Sequence, residues 1–235
     1  MTRRLSIAVN IVLVGFLAWY FLIHKDMRAY CERRFNPQEE FLQDTYYRAS
    51  VASYAALNPL VKDAVPVFAG DSLVEQFPVG ELLPGSKAIN RGIGFDTSRG
   101  VLLRLDGNIN NLAISKFFLL IGHNDIKYRS APEAARNIML IFSKVKAREK
   151  YFISVPPTAD PAHDRLIREL NGILLAASKE KGFRYIDLYS DFLDDGGKMK
   201  ADLFYDGVHL TVEGYRVLAR GLEESLGPVA NPSQP

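Results

Sequence analysis

The 235-residue chain contains a single cysteine, Cys31, and this scarcity excludes several kinds of site. An internal disulfide framework and a cysteine-based zinc centre both need more than one thiol. No cluster of histidine, cysteine and carboxylate residues has metal-ligand spacing, so the sequence predicts no metal. We interpret Cys31 as a spare thiol, with palmitoylation and an intermolecular disulfide as the alternatives. The compartment stays open, because proteins without disulfides occur on both sides of a membrane.

Several common binding and catalytic motifs are also missing. Gly92-Ile-Gly94 lacks the third glycine of a dinucleotide fingerprint, and the sequence contains no glycine-rich phosphate loop. The Gly-x-Ser-x-Gly elbow of ordinary α/β-hydrolases is absent. The net charge is only +2 and the basic residues are dispersed, which argues against a nucleic-acid footprint. We therefore expect no cofactor and no nucleic-acid partner.

The N-terminal segment is one long apolar run. Between residues 5 and 23 the main polar interruptions are Ser6 and Asn10. At about 1.5 Å per helical residue, this run is long enough to span a hydrocarbon core of about 30 Å. It ends in aromatic residues rather than in a small-residue cleavage site. The sequence therefore predicts a retained transmembrane anchor over residues 5–23.

Beyond this anchor the sequence predicts one α/β domain. Residues 36–58 indicate an amphipathic helix that packs on the domain, although its aromatic residues could instead contact a membrane or a lipid. From Val65 onward, strand-like and helix-like runs alternate, which predicts a parallel sheet covered on both faces. We expect a flavodoxin-like three-layer α/β/α sandwich with a mostly parallel five-stranded sheet. The predicted strands are 65–70, 87–90, 116–122, 150–155 and 183–188, and the predicted later helices are 131–148, 162–181 and 211–226.

The predicted domain organisation has four parts. They are an anchor at 1–24, a juxtamembrane linker with its helix at 25–60, the α/β domain at 61–227 and a disordered tail at 228–235.

The first predicted strand ends in Gly70-Asp71-Ser72. Open α/β sheets bind their ligands at the carboxyl ends of the strands. A serine there can act as a nucleophile if a base reaches its hydroxyl and donors face the developing oxyanion. Ser72 could instead be a simple helix cap, because serine and aspartate are favoured caps.

Polar residues of the required kinds follow two other strands and precede the last helix. The glycines of the 90–97 stretch suit a loop that brings backbone amides close to a ligand. Asn124 can offer a neutral side-chain amide to an oxyanion, although a turn residue is the alternative, and Asp125 is interpreted as a cap. Asp206 and His209 share one short turn, so the carboxylate can hold one ring nitrogen while the other takes a serine proton.

These stretches resemble the sequence blocks of the GDSL or SGNH hydrolases, in the family's order and over nearly all of residues 65–226. The resemblance implies a serine nucleophile at Ser72, a general base at His209 and an orienting partner at Asp206. It also implies oxyanion donors in the Ser72 amide and the Asn124 side chain. The blocks are Gly70-Asp71-Ser72-Leu73, Asn90-Arg91-Gly92, Gly122-His123-Asn124-Asp125 and Asp206-Gly207-Val208-His209.

The second block departs from the family pattern in one place. Members commonly carry a glycine just before the aspartate, and its amide donates to the oxyanion. Here that residue is Phe95, so we predict that either Phe95 or Gly94 supplies this amide. We expect Asp71 to hold the nucleophile loop.

A second Asp-x-x-His pair offers an alternative base. Asp160-Pro-Ala-His163 repeats the Asp-x-x-His spacing, but only the 206–209 pair lies directly before the terminal helix, as in the family. We therefore prefer His209 as the base and assign His163 to the start of a helix. His123 and Gly92 are expected to line the site.

The resemblance implies a serine esterase, and the apolar run over residues 5–23 predicts that it is membrane-anchored. We expect it to act on lipid or O-acyl glycan esters, with its catalytic domain outside the cytoplasm. An O-acyltransferase would use the same residues, so the sequence does not separate the two. A non-catalytic binding or scaffolding domain of the same fold is the third alternative.

Overall fold

A computed structural model of the chain describes residues 13, 14, 16, 20, 42 and 44–227. The chain forms two compact units, Met1–Asp44 and Thr45–Pro235. Within the described residues, no helix is long and apolar enough to cross a bilayer. The anchor predicted at 5–23 falls almost entirely outside the described residues, and Cys31 and the tail at 228–235 fall wholly outside them.

The second unit is built on a five-stranded sheet in which every pair of neighbouring strands is parallel. This confirms the predicted parallel sheet. The strand order is β2-β1-β3-β4-β5. Strand β2 therefore lies on one side of β1, and β3, β4 and β5 follow in turn on the other side. The strands are β1 Val65–Gly70, β2 Ile89–Gly92, β3 Ile114–Leu120, β4 Ala147–Ile153 and β5 Arg184–Ile186.

The helices cover both faces of this sheet. Right-handed crossovers that run in opposite directions from β1 place their helices on opposite faces. Accordingly α4, α6 and α7 pack in a row, whereas the C-terminal α8 packs against α3. The helices are α1 Thr45–Leu57, α2 Ser72–Glu75, α3 Val79–Leu82, α4 Ser98–Asn108, α5 His123–Ile126, α6 Ala131–Lys144, α7 Pro161–Lys181 and α8 Val212–Leu226.

A row of aromatic rings fixes the central strands and the last helix together. Phe68 of β1 stacks on Phe118 of β3 with ring centroids 4.7 Å apart, and Phe118 stacks on Tyr151 of β4 at 4.8 Å. Phe68 also meets Phe77, which stacks on Tyr215 of α8 at 5.6 Å. The Tyr215 hydroxyl donates to the Leu73 carbonyl at 3.0 Å, so α8 is fastened directly to α2.

The predicted element boundaries differ from the observed ones by at most a few residues, and three helices, α3, α4 and α5, were not predicted. Helix α4 carries buried Arg104 and Asn108, which hide the apolar periodicity that would identify it. It is nevertheless stable there, because Thr97 caps its N-terminus and Arg104 pairs with buried Asp96. The helix predicted over 36–58 is described over Thr45–Leu57, in the same compact unit as the sheet.

Candidate active site

The candidate catalytic residues meet where the strand order reverses, between β1 and β3. Gly70 and Leu120 are partners in the register of these two strands. Ser72 follows β1, and Asn124 follows β3. A crevice outside the carboxyl ends at such a reversal is where open α/β sheets bind ligands.

The position of Ser72 is set by its two preceding residues. A β-carbon on Gly70 would lie 2.0 Å from the Leu120 carbonyl oxygen, so only glycine lets the two strands end this close together. Asp71 then caps α2, its carboxylate accepting from the Leu73 amide at 3.0 Å. Ser72 is therefore both the first residue of a short helix and the residue that faces the crevice.

Ser72, His209 and Asp206 form a continuous hydrogen-bonded relay. The Ser72 hydroxyl lies 2.9 Å from His209 Nε2, and His209 Nδ1 lies 2.6 Å from Asp206 Oδ2. Burial pushes the pKa of Asp206 upward, but hydrogen bonds from the His209 amide and ring outweigh it and hold this pKa below its usual value. An ionised carboxylate fixes the ring with Nδ1 protonated, which leaves Nε2 able to accept the serine proton.

The turn that carries Asp206 and His209 is held by contacts from the loop after β4. Gly207 has a φ of +81°, and its carbonyl accepts from the Ala159 amide and the Thr158 hydroxyl, both at 3.0 Å. A β-carbon on Gly207 would lie 2.7 Å from that of Ala159. Glycine is therefore required here both by the left-handed backbone and by the close approach.

Tyr205 closes the same turn beside the imidazole. Its amide donates to the His209 carbonyl at 3.0 Å, and its ring stacks nearly parallel to the His209 ring, with centroids 5.5 Å apart. Its hydroxyl donates to Gln76, just beyond α2, at 3.1 Å. One side chain thus links the histidine turn to the serine helix.

Four N–H groups in the loops at this edge of the sheet are available to donate to an oxyanion. Among the described residues, the amides of Ser72, Gly94 and Phe95 donate to no other group. The Asn124 side-chain amide gives one hydrogen to the Asp96 carbonyl at 3.1 Å and keeps a second. The Asn124 oxygen accepts from Lys127 at 3.4 Å, which fixes the orientation of the amide.

Phe95 occupies the third position of a tight turn. The Asp96 amide donates to the Ile93 carbonyl at 3.2 Å, and Phe95 has a φ of +63°. A turn of this kind requires positive φ, which glycine supplies without strain. The backbone therefore keeps the left-handed conformation expected of a glycine although a phenylalanine occupies the position. The side chain is 72% exposed.

Two buried carboxylates lie behind the nucleophile. Asp71 is 1% exposed, burial raises its pKa to about 7, and its Oδ2 has no hydrogen-bond partner among the described residues. Burial also raises the pKa of Asp96 to about 6, against the opposing effect of Arg104 at 2.8 Å. Asp71 thus caps the nucleophile helix, but at an electrostatic cost that grows as the pH rises towards neutral.

The competing histidine does not reach the serine. Asp160 caps α7 by accepting from the Ala162 amide at 3.0 Å, and His163 Nε2 lies 3.1 Å from the His123 carbonyl. The rings of His123 and His163 are 4.6 Å apart, and burial lowers the pKa of His123 to about 3. His123 is therefore a neutral, buried neighbour of the site. The Gly92 amide donates to the side-chain oxygen of Asn90 at 2.8 Å, so this amide is not a spare donor for a ligand.

One structural role was not found from the sequence. Asp125, interpreted as a cap, is fully buried and accepts from the Ser98 amide at 2.8 Å and from its hydroxyl at 2.5 Å, and it also pairs with Arg129. It thereby clamps the start of α4 to α5, the helix that carries Asn124. No local pattern could show this, since Ser98 and Asp125 are 27 residues apart.

Among the residues that the structure describes, no group of three or more histidine, cysteine or carboxylate residues could hold a metal ion. The arrangement that is present, a serine, a base, an orienting carboxylate and unpartnered amides, suits nucleophilic attack on a carbonyl.

Comparison with known proteins gives a consistent result. The family described as GDSL-like Lipase/Acylhydrolase matches residues 67–217. Platelet-activating factor acetylhydrolase IB subunit alpha2 of Homo sapiens is 27% identical over 177 residues, covering 69% of this chain and 77% of that protein.

Solved structures share the fold. A Streptococcus pneumonia protein described as a platelet activating factor is 28% identical, with a TM-score of 0.71 over 77% of this chain and 93% of that one. A GDSL-like lipase from Bacteroides thetaiotaomicron is 23% identical, with a TM-score of 0.65 over 77% and 96% of the two chains. An acetylxylan esterase from Geobacillus stearothermophilus is 16% identical, with a TM-score of 0.59 over 74% and 98%.

Proposed function

Because the chain belongs to the GDSL-like lipase and acylhydrolase family and is a serine ester hydrolase, we propose that it cleaves carboxylic esters through an acyl-enzyme on Ser72. The observation that carries this proposal is the relay of 2.9 Å and 2.6 Å from Ser72 through His209 to Asp206.

The proposed chemistry follows from the relay. Ser72 Oγ attacks the ester carbonyl while His209 Nε2 takes its proton, and Asp206 stabilises the imidazolium that forms. The carbonyl oxygen becomes an oxyanion that accepts from the Ser72 amide, the Phe95 or Gly94 amide and the Asn124 side chain. Collapse of this intermediate breaks the bond to the alcohol, which leaves with the proton from His209. Water then attacks the acyl-enzyme by the same route and releases the acid.

We further propose that the substrate is a lipid or an O-acetylated glycan and that the enzyme is membrane-anchored with its domain outside the cytoplasm. The apolar run over residues 5–23 supports the anchor. The relatives named for an acetylhydrolase and an acetylxylan esterase favour a short acyl group.

The test is ester hydrolysis by the full-length chain in detergent micelles. The substrates are p-nitrophenyl esters of increasing acyl length, and the variants are Ser72→Ala and, as a control outside the site, Ser190→Ala. We expect turnover that disappears only in Ser72→Ala, and the preferred acyl length then separates acetyl esters from long-chain ones.

Two other results would contradict hydrolysis. If a fluorophosphonate labels Ser72 but product forms only when an acceptor alcohol is added, the protein is an acyltransferase that uses the same residues. If the folded protein neither turns over nor is labelled, the site is non-catalytic.

A further inference from the structure

Phe95, next to the site, has a strained backbone conformation. Bulky residues with positive φ are genuine outliers, and a left-handed conformation costs a non-glycine residue about 1–2 kcal/mol. Phe95 adopts a φ of +63° and gains little burial in return, because its side chain is 72% exposed. The folded protein alone therefore gives no reason for a phenylalanine at this position.

The position of Phe95 supplies the reason. Its own amide is one of the unpartnered donors of the site, and the next carbonyl, that of Asp96, accepts from Asn124 at 3.1 Å. The preceding residue, Gly94, lies against Glu75 in the helix that begins with Ser72. A phenyl ring attached to this turn is within one residue of the groups that would bind the carbonyl oxygen. Backbone strain retained at such a place is typical of functional sites.

We propose that the Phe95 side chain is a substrate-binding surface that covers an apolar chain attached to the reacting ester. This inference rests on the proposed esterase function and names its substrate class: an ester in which the acyl or the alcohol part is a hydrocarbon chain. Water leaves the exposed ring only when such a chain is bound, so the phenyl group stabilises esters with a chain over short ones.

The experiment measures the hydrolysis of three esters by the full-length protein, with release of the acid as the readout. Methyl acetate is the short reference, methyl hexanoate extends the acyl side, and hexyl acetate extends the alcohol side. The variants are Phe95→Gly and Phe95→Asn, because both residues tolerate positive φ. Leu175→Ala removes a similarly exposed apolar side chain on α7, away from the site, and serves as the matched control.

The quantity measured is the ratio of kcat/KM for a long ester to that for methyl acetate. A ratio is used because changes at Phe95 also act on the turn whose Phe95 or Gly94 amide we propose as an oxyanion donor, and that effect is common to every ester. We expect the ratio to fall about tenfold on at least one side in both Phe95 variants, corresponding to about 1.4 kcal/mol, and to be unchanged in Leu175→Ala. The side on which it falls identifies the part of the substrate that the ring covers.

Two results would overturn the inference while leaving the esterase intact. One is a wild-type enzyme that hydrolyses these esters with ratios that neither Phe95 variant changes. The other is a Tm that falls in Phe95→Gly and in Phe95→Asn alike, which would show that the ring stabilises the fold, because only the glycine also makes the unfolded chain more flexible. A folded wild-type protein that hydrolyses none of the esters and takes no fluorophosphonate on Ser72 would instead refute the proposed function, and this inference with it.

Discussion

Replacing Asp71 by asparagine should make the protein more stable, and more so as the pH rises. Asparagine keeps a side-chain oxygen for the Leu73 amide, which Asp71 now binds at 3.0 Å, so the helix cap survives. What disappears is a buried carboxylate whose second oxygen has no partner among the described residues. The substitution therefore isolates the cost of burying this charge.

The pH dependence follows from the two pKa values of Asp71. Burial raises its pKa from 3.8 to about 7 in the folded protein. Between these values the unfolded chain has lost the proton while the folded chain retains it, so rising pH favours unfolding. Above about pH 7 both states are ionised and the penalty is constant. The free energy of unfolding falls by about 1.4 kcal/mol for each pH unit in this range. Between pH 5 and pH 8 the wild type should therefore lose roughly 2–3 kcal/mol of stability that the variant does not lose.

The assay is urea unfolding of wild type and Asp71→Asn at pH 5 and pH 8. Asp160→Asn is the matched control, because Asp160 caps α7 through the Ala162 amide at the same 3.0 Å but is exposed. We expect the gain from Asp71→Asn to be larger at pH 8 and the effect of Asp160→Asn to be the same at both. An equal effect of Asp71→Asn at the two pH values would refute the assignment of a charge penalty to this residue.

Three further outcomes are expected at the histidine turn. His209→Ala should abolish hydrolysis and Asp206→Asn should reduce kcat less severely, because an orienting group contributes less than the base, while His163→Ala should retain activity. Tyr205→Leu should lower kcat/KM about two- to fivefold, because the stacked ring stabilises the His209 imidazolium that forms during turnover. Tyr205→Phe keeps the ring, so any loss of activity in that variant comes from the hydroxyl alone. Gly207→Ala should cost about 1–2 kcal/mol in urea unfolding, from its left-handed backbone, and should displace the base, which steady-state kinetics would report.

Each of these outcomes has a contrary result. Full activity in His209→Ala with loss in His163→Ala would exchange the base for its competitor. If Tyr205→Phe and Tyr205→Leu lose the same activity, the hydroxyl bond to Gln76 matters and the ring does not. An unchanged unfolding free energy in Gly207→Ala would show that the turn relaxes away from Ala159.

The sequence could predict the parts of the site that depend on local order. Strand ends follow from apolar runs that stop at glycine, and an α/β chain brings the carboxyl ends of its strands to one edge of the sheet. The places of Ser72 and Asn124 at strand ends made them candidates, and the resemblance to the family blocks gave them their roles. The pairing of Asp206 with His209 lies within one turn, but Asp160 and His163 have the same spacing, so the choice of base needed the family pattern as well.

The remainder depends on contacts between distant segments. Helix α4 was missed because its buried face carries Arg104 and Asn108, whose partners are known only once the chain is folded. Asp125 was interpreted as a cap because nothing near it in the sequence shows its bonds to Ser98. The conformation of Phe95 was equally hidden, because a phenylalanine does not predict the positive φ that a glycine would. Only the folded backbone shows that the turn is kept.

The distance along the chain between nucleophile and base has a consequence for protein synthesis. Ser72 and His209 are 137 residues apart, and α8 reaches the serine helix through Tyr215. A ribosome-bound chain would present β1 to β5 with an unactivated serine until the turn that carries His209 had emerged and α8 had docked. Fluorophosphonate labelling of Ser72 would therefore report the final step of folding, separately from circular dichroism, which reports the earlier formation of helices and strands.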